Sequence, residues 1–299
     1  MGKPVVYNAT LAGREDLSPT LALFRVLPDD VPPPARPWFE SGQYVSLGLN
    51  VDDPAAPHAT LRPYSIASAP EERRWLELYI RLASIPESPE PFTPLLWPLR
   101  VGDRLYASPK IAGRFTETHT VGEGDPRVRV FAAAGTGIAP FISAARSAAA
   151  RGRDDLLARM VILHGASHAH ELGYRAEMEA LGRRGLRYVP TVSRPADNPE
   201  WKGHVGRVET VFDRESFSPE AAVVYVCGFT GTITSTVERL VRRGFVPEDR
   251  RLRRLLQVPE NAPPSLFYEQ YDTAPIIDPK DETRLSALRA EVKSRVAPG

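Results

Sequence analysis

The sequence predicts an antiparallel β-barrel over residues 1–122 joined to an α/β domain with a parallel sheet over 123–265. A final strand and C-terminal extension occupy 266–299. Three observations predict this. Residues 1 to 122 read as short strands separated by Pro and Gly turns, for example 44–49, 76–82 and 103–107, the spacing of an antiparallel barrel. Beyond Pro126, strand-like and helix-like runs alternate at 128–133, 141–150, 160–164, 174–181, 187–192, 208–211, 223–227 and 232–243. Such alternation argues for a parallel sheet with helices on both faces. The 299 residues suggest two domains, and a 42% hydrophobic content fills two cores.

Within the barrel region, Arg62-Pro63-Tyr64-Ser65 lies on a strand-like run. Alternate residues of a strand face one side, so Arg62 and Tyr64 share a face. That offers a cation for a phosphate and a flat ring for a flat cofactor, with a hydroxyl close by; an exposed edge strand would look similar. The Pro-rich runs 28–37 and 86–98 read as rigid loops, and 122–126 as a linker. The apolar strand 128–133 leads into Gly135-Thr136-Gly137-Ile138-Ala139-Pro140 and then a helix. Strand, Gly-rich turn and helix together present backbone N–H groups to a phosphate, although such turns also occur with no ligand. The third glycine of a Rossmann fingerprint is missing. Near the C-terminus, Leu285, Leu288, Val292 and Val296 have helical spacing over 281–296, with Asp281 placed to cap it. A mobile tail is the other reading.

Composition excludes several classes. Lys and Arg number 38 against 37 Asp and Glu, so no nucleic-acid surface is indicated. The single cysteine, Cys227, permits neither an internal disulfide nor a four-cysteine iron–sulfur cluster. The longest apolar stretch, 128–150, is interrupted by Arg129, Arg146 and the Gly-Thr-Gly turn, so no membrane span is expected. No secretory signal pattern is read at the N-terminus, and a cytoplasmic setting is expected. His164, His168 and His170 show no readable metal-ligand pattern.

Taken in order, the Arg-x-Tyr-Ser run and the Gly-Thr-Gly-Ile-Ala-Pro turn resemble the ferredoxin–NADP+ reductase family. The resemblance extends to residues 39–45, to Leu78-Tyr79-Ile80-Arg81, to Val101-Gly102-Asp103 and to 224–228. It implies a two-domain flavoprotein using FAD and NADPH. It implies that Arg62 binds the FAD pyrophosphate, Tyr64 stacks on the isoalloxazine, and Ser65 bonds near flavin N5, with Pro63 in the same motif. Tyr79, Ile80 and Arg81 would flank the adenosine diphosphate half. Pro91-Phe92-Thr93 stands where the family has a Gly-containing phosphate turn; Thr93 keeps a hydroxyl there. Gly135, Thr136 and Gly137 would meet the nicotinamide-side phosphates, and Cys227 with Gly228 would lie against the nicotinamide. Ser193, Arg194, Lys202 and Arg207 resemble the site for the NADPH 2′-phosphate, although solvated surface charge reads the same way. Ser167 stands where many bacterial relatives carry arginine. Residues 229–232 also depart from the Asn-Pro-x-Met-like run of the family. Tyr271 fits the aromatic that covers the flavin, with Glu269 the nearby carboxylate.

The resemblance implies electron transfer between NADP(H) and ferredoxin or flavodoxin. The reductase component of an oxygenase system and a non-catalytic FAD-binding module are the alternatives. Oligomeric state is not readable.

Overall fold

A computed structural model describes residues 3–33, 35, 38–51, 57–83 and 91–296. Parts of both Pro-rich runs, at 34, 36–37 and 86–90, lie outside the described residues. The chain divides into two compact units, Met1–Thr116 with Ala139–Arg153, and Glu117–Ile138 with Asp154–Gly299.

The first unit carries β1 (Ala9–Ser18), β2 (Leu21–Pro28), β3 (Tyr44–Val51), β4 (His58–Ser65), β5 (Leu76–Arg81) and β6 (Arg104–Ala107), with the short helix α1 (Thr93–Leu96). All named pairings among these strands are antiparallel, in the order β4-β3-β6-β1-β2-β5. A bridge between Ile66 and Leu78 links the end of β4 to β5 and closes the ring. Alternation puts Ala22, Phe24 and Val26 inward, where they meet Val45, Leu47, Leu78 and Leu105 in one core. A closed ring leaves no long unpaired edge.

Helix α2 (Ala139–Ala150) also belongs to this unit. Ser143 donates to the Ser68 carbonyl at 2.8 Å, and Arg146 donates to Glu77 at 2.6 Å and to the Ala67 carbonyl at 3.1 Å. Arg25 reaches the other carboxylate oxygen of Glu77 at 2.9 Å. Glu77 is buried between two arginines, which is how a carboxylate persists in an apolar strand.

The second unit is built on β7 (Val128–Ala134), β8 (Met160–Ala166), β9 (Arg187–Val192), β10 (His204–Val205), β11 (Ala222–Gly228) and β12 (Leu266–Gln270). All the pairings are parallel, in the order β10-β9-β8-β7-β11-β12. Strand β11 is a continuous apolar run, and β7 and β8 are apolar but for buried Arg129 and His164, as a sheet covered on both faces requires. Helices α3 (Asp154–Leu157), α4 (Arg175–Leu181), α5 (Thr230–Val241), α6 (Arg250–Leu256) and α7 (Glu282–Arg295) complete the unit. The run expected at 208–211 is a 3₁₀ helix, Val208–Asp213.

The compact units differ from the sequence boundaries at 122 and 265. The first cut falls at Thr116/Glu117, because buried Arg129 collects the Glu117 carboxylate and the Asp125 and Arg127 carbonyls. The stretch read as a linker is therefore tied into the second unit. The C-terminal stretch is tied in too. Asp281 accepts from the Arg284 N–H and caps α7, whose Leu285, Leu288 and Val292 join Ile276 and Ile277 in the second unit's core. Among the described residues, no helix is long and apolar enough to cross a membrane.

Candidate functional site

On β4, Leu61 and Pro63 are exposed while Arg62 and Tyr64 share the other face, half-buried. The Tyr64 ring meets Phe92 with centroids 5.9 Å apart. Arg62 donates to the Leu61 carbonyl at 2.7 Å. Ser65 is buried at the end of the strand. Tyr79 and Ile80 are also buried, so only their backbone is offered, whereas Arg81 is half-buried.

The Phe92 ring is buried in the barrel core with Leu96 and packs on Tyr64. Without a glycine, the segment presents a large apolar side chain that the core takes up. Thr93 is half-buried, and its hydroxyl accepts from the Ala83 N–H at 3.0 Å. The hydroxyl proton is left to donate.

In the second unit the candidate residues gather at the carboxyl ends of the strands. Gly135 begins a 3₁₀ turn, Gly135–Ile138, directly after β7, with φ of +56°. A Cβ on Gly137 would fall 2.3 Å from the Cys227 carbonyl oxygen, so only glycine permits this approach of turn to strand. Cys227 is buried on β11, in register with Ala133 and Glu269, and its Sγ lies 3.9 Å from a Glu269 carboxylate oxygen. Burial first, then the Glu269 charge, push the thiol pKa well up.

Gly228 ends β11 with φ of +153°, and its carbonyl accepts from the Tyr271 N–H at 3.0 Å. The Tyr271 hydroxyl lies 3.5 Å from the Thr136 carbonyl, and its ring stands edge-on to Phe229 at 6.1 Å. Asp272 caps α5 by accepting from the Thr230 N–H at 2.9 Å. The segment carrying Tyr271 is thus held on both sides.

Ser193 and Arg194 follow β9 and are exposed; their N–H groups bond the Ala166 and Ser167 carbonyls at the end of β8. Lys202 is exposed on the next loop. Arg207 pairs through Nε with buried Glu209 at 2.9 Å and is otherwise exposed.

His164, considered from sequence only as a metal ligand, is fully buried and bonds Gly135 and Tyr188. The signal was a histidine inside the apolar run of β8. His168, His170 and Glu171 have ligand atoms within 4.8 Å of one another. His168 and Glu171 form the capping box of the turn Ala169–Glu171, and His168 also faces Asp197 at 3.4 Å.

Residues 131–238 match the family model for an oxidoreductase NAD-binding domain. The chain is 31% identical to ferredoxin–NADP reductase A of Sorangium cellulosum, over 69% of this chain and 74% of that one. The chain belongs to the ferredoxin–NADP+ reductase family, a family of FAD-dependent oxidoreductases. It is also 31% identical to the reductase subunit of an aromatic O-demethylase from Amycolatopsis, covering 72% of this chain and 60% of that subunit's length. A ferredoxin NADP+ reductase from Neisseria gonorrhoeae, solved with bound FAD and NADP, shares the fold. The TM-score is 0.68 at 22% identity, covering 89% of this chain and 98% of that one. The two-sheet architecture of this chain is therefore that of the family.

Proposed function

We propose that the chain passes electrons between NADP(H) and a ferredoxin or flavodoxin through bound FAD. The observation that carries this reading is the row of candidate residues along one edge of the second unit's sheet. The Gly-Thr-Gly turn ends β7, Cys227-Gly228 ends β11, and Ser193-Arg194 ends β9. With strands about 4.8 Å apart, β11 to β9 is roughly 14 Å, a span that an extended dinucleotide covers. Open α/β sheets bind ligands at this edge.

FAD fits the first unit through the shared face of β4. Arg62 would hold the pyrophosphate, Tyr64 would stack on the ring system, and Ser65 would face the reacting nitrogen. Tyr79, Ile80 and Arg81 would flank the adenosine diphosphate half, with the Thr93 hydroxyl as a further donor. Bound FAD supplies the step between two-electron nicotinamide chemistry and one-electron transfer. In the second unit, Thr136 would bind nicotinamide-side phosphates, and Cys227 and Gly228 would shape the nicotinamide pocket. Glu269 would stand behind the thiol, and Tyr271 would cover the flavin face. Arg194, Arg207, Lys202 and Ser193 would bind the 2′-phosphate.

The test is NADPH-driven reduction of purified ferredoxin and flavodoxin by the FAD-loaded protein. Turnover with either supports the assignment. Rapid reduction of the FAD by NADPH with no transfer to either carrier would refute it.

A further inference from the structure

His164 lies on β8 beneath the Gly-Thr-Gly turn and is fully buried. Nε2 is 3.1 Å from the Gly135 carbonyl oxygen, and Nδ1 is 3.0 Å from the Tyr188 hydroxyl. A carbonyl only accepts, so Nε2 carries the proton; in the neutral ring, Nδ1 then accepts from Tyr188. Burial keeps the ring neutral, with its pKa pushed down to about 4. The Gly135 carbonyl thus sets the tautomer, Tyr188 on β9 satisfies the other ring nitrogen, and His164 holds the carbonyl.

We infer that His164 is a positioning residue for pyridine nucleotide, locking the peptide between Gly135 and Thr136 so that the Thr136 N–H faces the ligand's phosphates. The inference rests on the nucleotide site proposed above. The described chain contains no cis peptide. In a planar trans peptide, the C=O and the N–H point in opposite directions. The Gly135 carbonyl points at a buried ring, so the Thr136 N–H points away from it. Gly135 sits at φ of +56°, where glycine has wide freedom, and the His164 bond reinforces the 3₁₀ turn's own i→i+3 bonding at this peptide. The next carbonyl, of Thr136, is met by the Tyr271 hydroxyl, and Gly137 abuts Cys227. His164 therefore adds a buried side-chain hold on the first peptide to the turn's own bonding.

The test uses the FAD-loaded protein, calorimetric titration with NADP+, and ¹⁵N NMR of the histidine ring. The wild-type ring is expected as the Nε2–H tautomer. His164→Leu should weaken NADP+ binding about tenfold, the worth of one well-placed hydrogen bond, while FAD content and the flavin reduction rate at saturating NADPH stay near wild type. His164→Gln keeps a donor near Nε2 and should restore most of the affinity. Tyr188→Phe should weaken binding less than His164→Leu does and shift the ring's tautomer balance. An Nδ1–H tautomer in the wild type would overturn the inference, even if the leucine variant does not fold. So would a leucine variant that binds within about twofold of wild type, or a glutamine variant as weak as the leucine one. Wild-type protein that binds no NADP+ defeats the nucleotide site itself, and the inference with it.

Discussion

Cys227 illustrates how a residue is read differently once its neighbours are known. The sequence placed it beside Gly228 at a strand end. The structure adds that it is buried between β7 and β12, with Glu269 beside it. A buried thiol with a raised pKa is a poor nucleophile, so the part proposed for it is to shape the pocket rather than to attack. Labelling with an aromatic disulfide at pH 8 should be slow in the folded protein and fast in denaturant. Cys227→Ala and Ser65→Ala should each slow flavin reduction, read by stopped flow, without loss of FAD, because small misplacements of reacting groups cost large factors in rate. Arg62→Ala should yield mostly apo-protein, since a charged hydrogen bond is worth about 1.5–3 kcal/mol; the flavin-to-protein absorbance ratio reports it. His164 titrates near 6.5 when unfolded and near 4 when folded, where Gly135 and Tyr188 are its bonded neighbours. The unfolded state binds more protons between those values, so stability is fully present above pH 6.5 and lost as pH falls toward 4. Urea unfolding at pH 7 and pH 5 should show a smaller loss in His164→Gln than in wild type.

At the level of elements, the turn after β7 was legible because strand, glycines and helix appear together in sequence. Its fixings were not, because the Gly135–His164 bond joins residues 29 apart and the Gly137–Cys227 approach is a backbone contact. Gly137→Ala should disrupt that approach, since its Cβ would lie 2.3 Å from a carbonyl oxygen. Calorimetry should show loss of NADP+ binding while the barrel retains FAD. The spacing of α7 and its cap at Asp281 were readable. That its apolar stripe completes the second unit's core was not, because periodicity names a face and not its partner. Leu288 is fully buried, so Leu288→Ala should cost about 2–5 kcal/mol in denaturant unfolding. Truncation after Tyr271 would remove this core contribution as well as any restraint on the ring, which makes Tyr271→Ser the cleaner probe of flavin covering. It should alter nucleotide affinity with little loss of stability.

Across the whole molecule, the fold class was legible because a Pro- and Gly-punctuated strand region and an alternating region leave distinct patterns. The unit boundaries were less so. Helix α2 follows the Gly-Thr-Gly turn in sequence, yet Ser143 and Arg146 bond Ser68, Ala67 and Glu77 of the barrel unit. Glu77 lies on β5, and both of its arginine partners are remote in sequence. Cofactor choice also belongs to this scale. Arg194→Ala with Arg207→Ala should raise the KM for NADPH strongly and that for NADH little, because only NADPH carries the 2′-phosphate. Equal losses would remove these arginines from that role. The most direct test of the central claim is anaerobic stopped-flow mixing of the FAD-loaded protein with NADPH and, separately, with NADH. Rapid bleaching of the flavin absorbance by NADPH is the predicted result; a bound flavin that neither nucleotide reduces would contradict it.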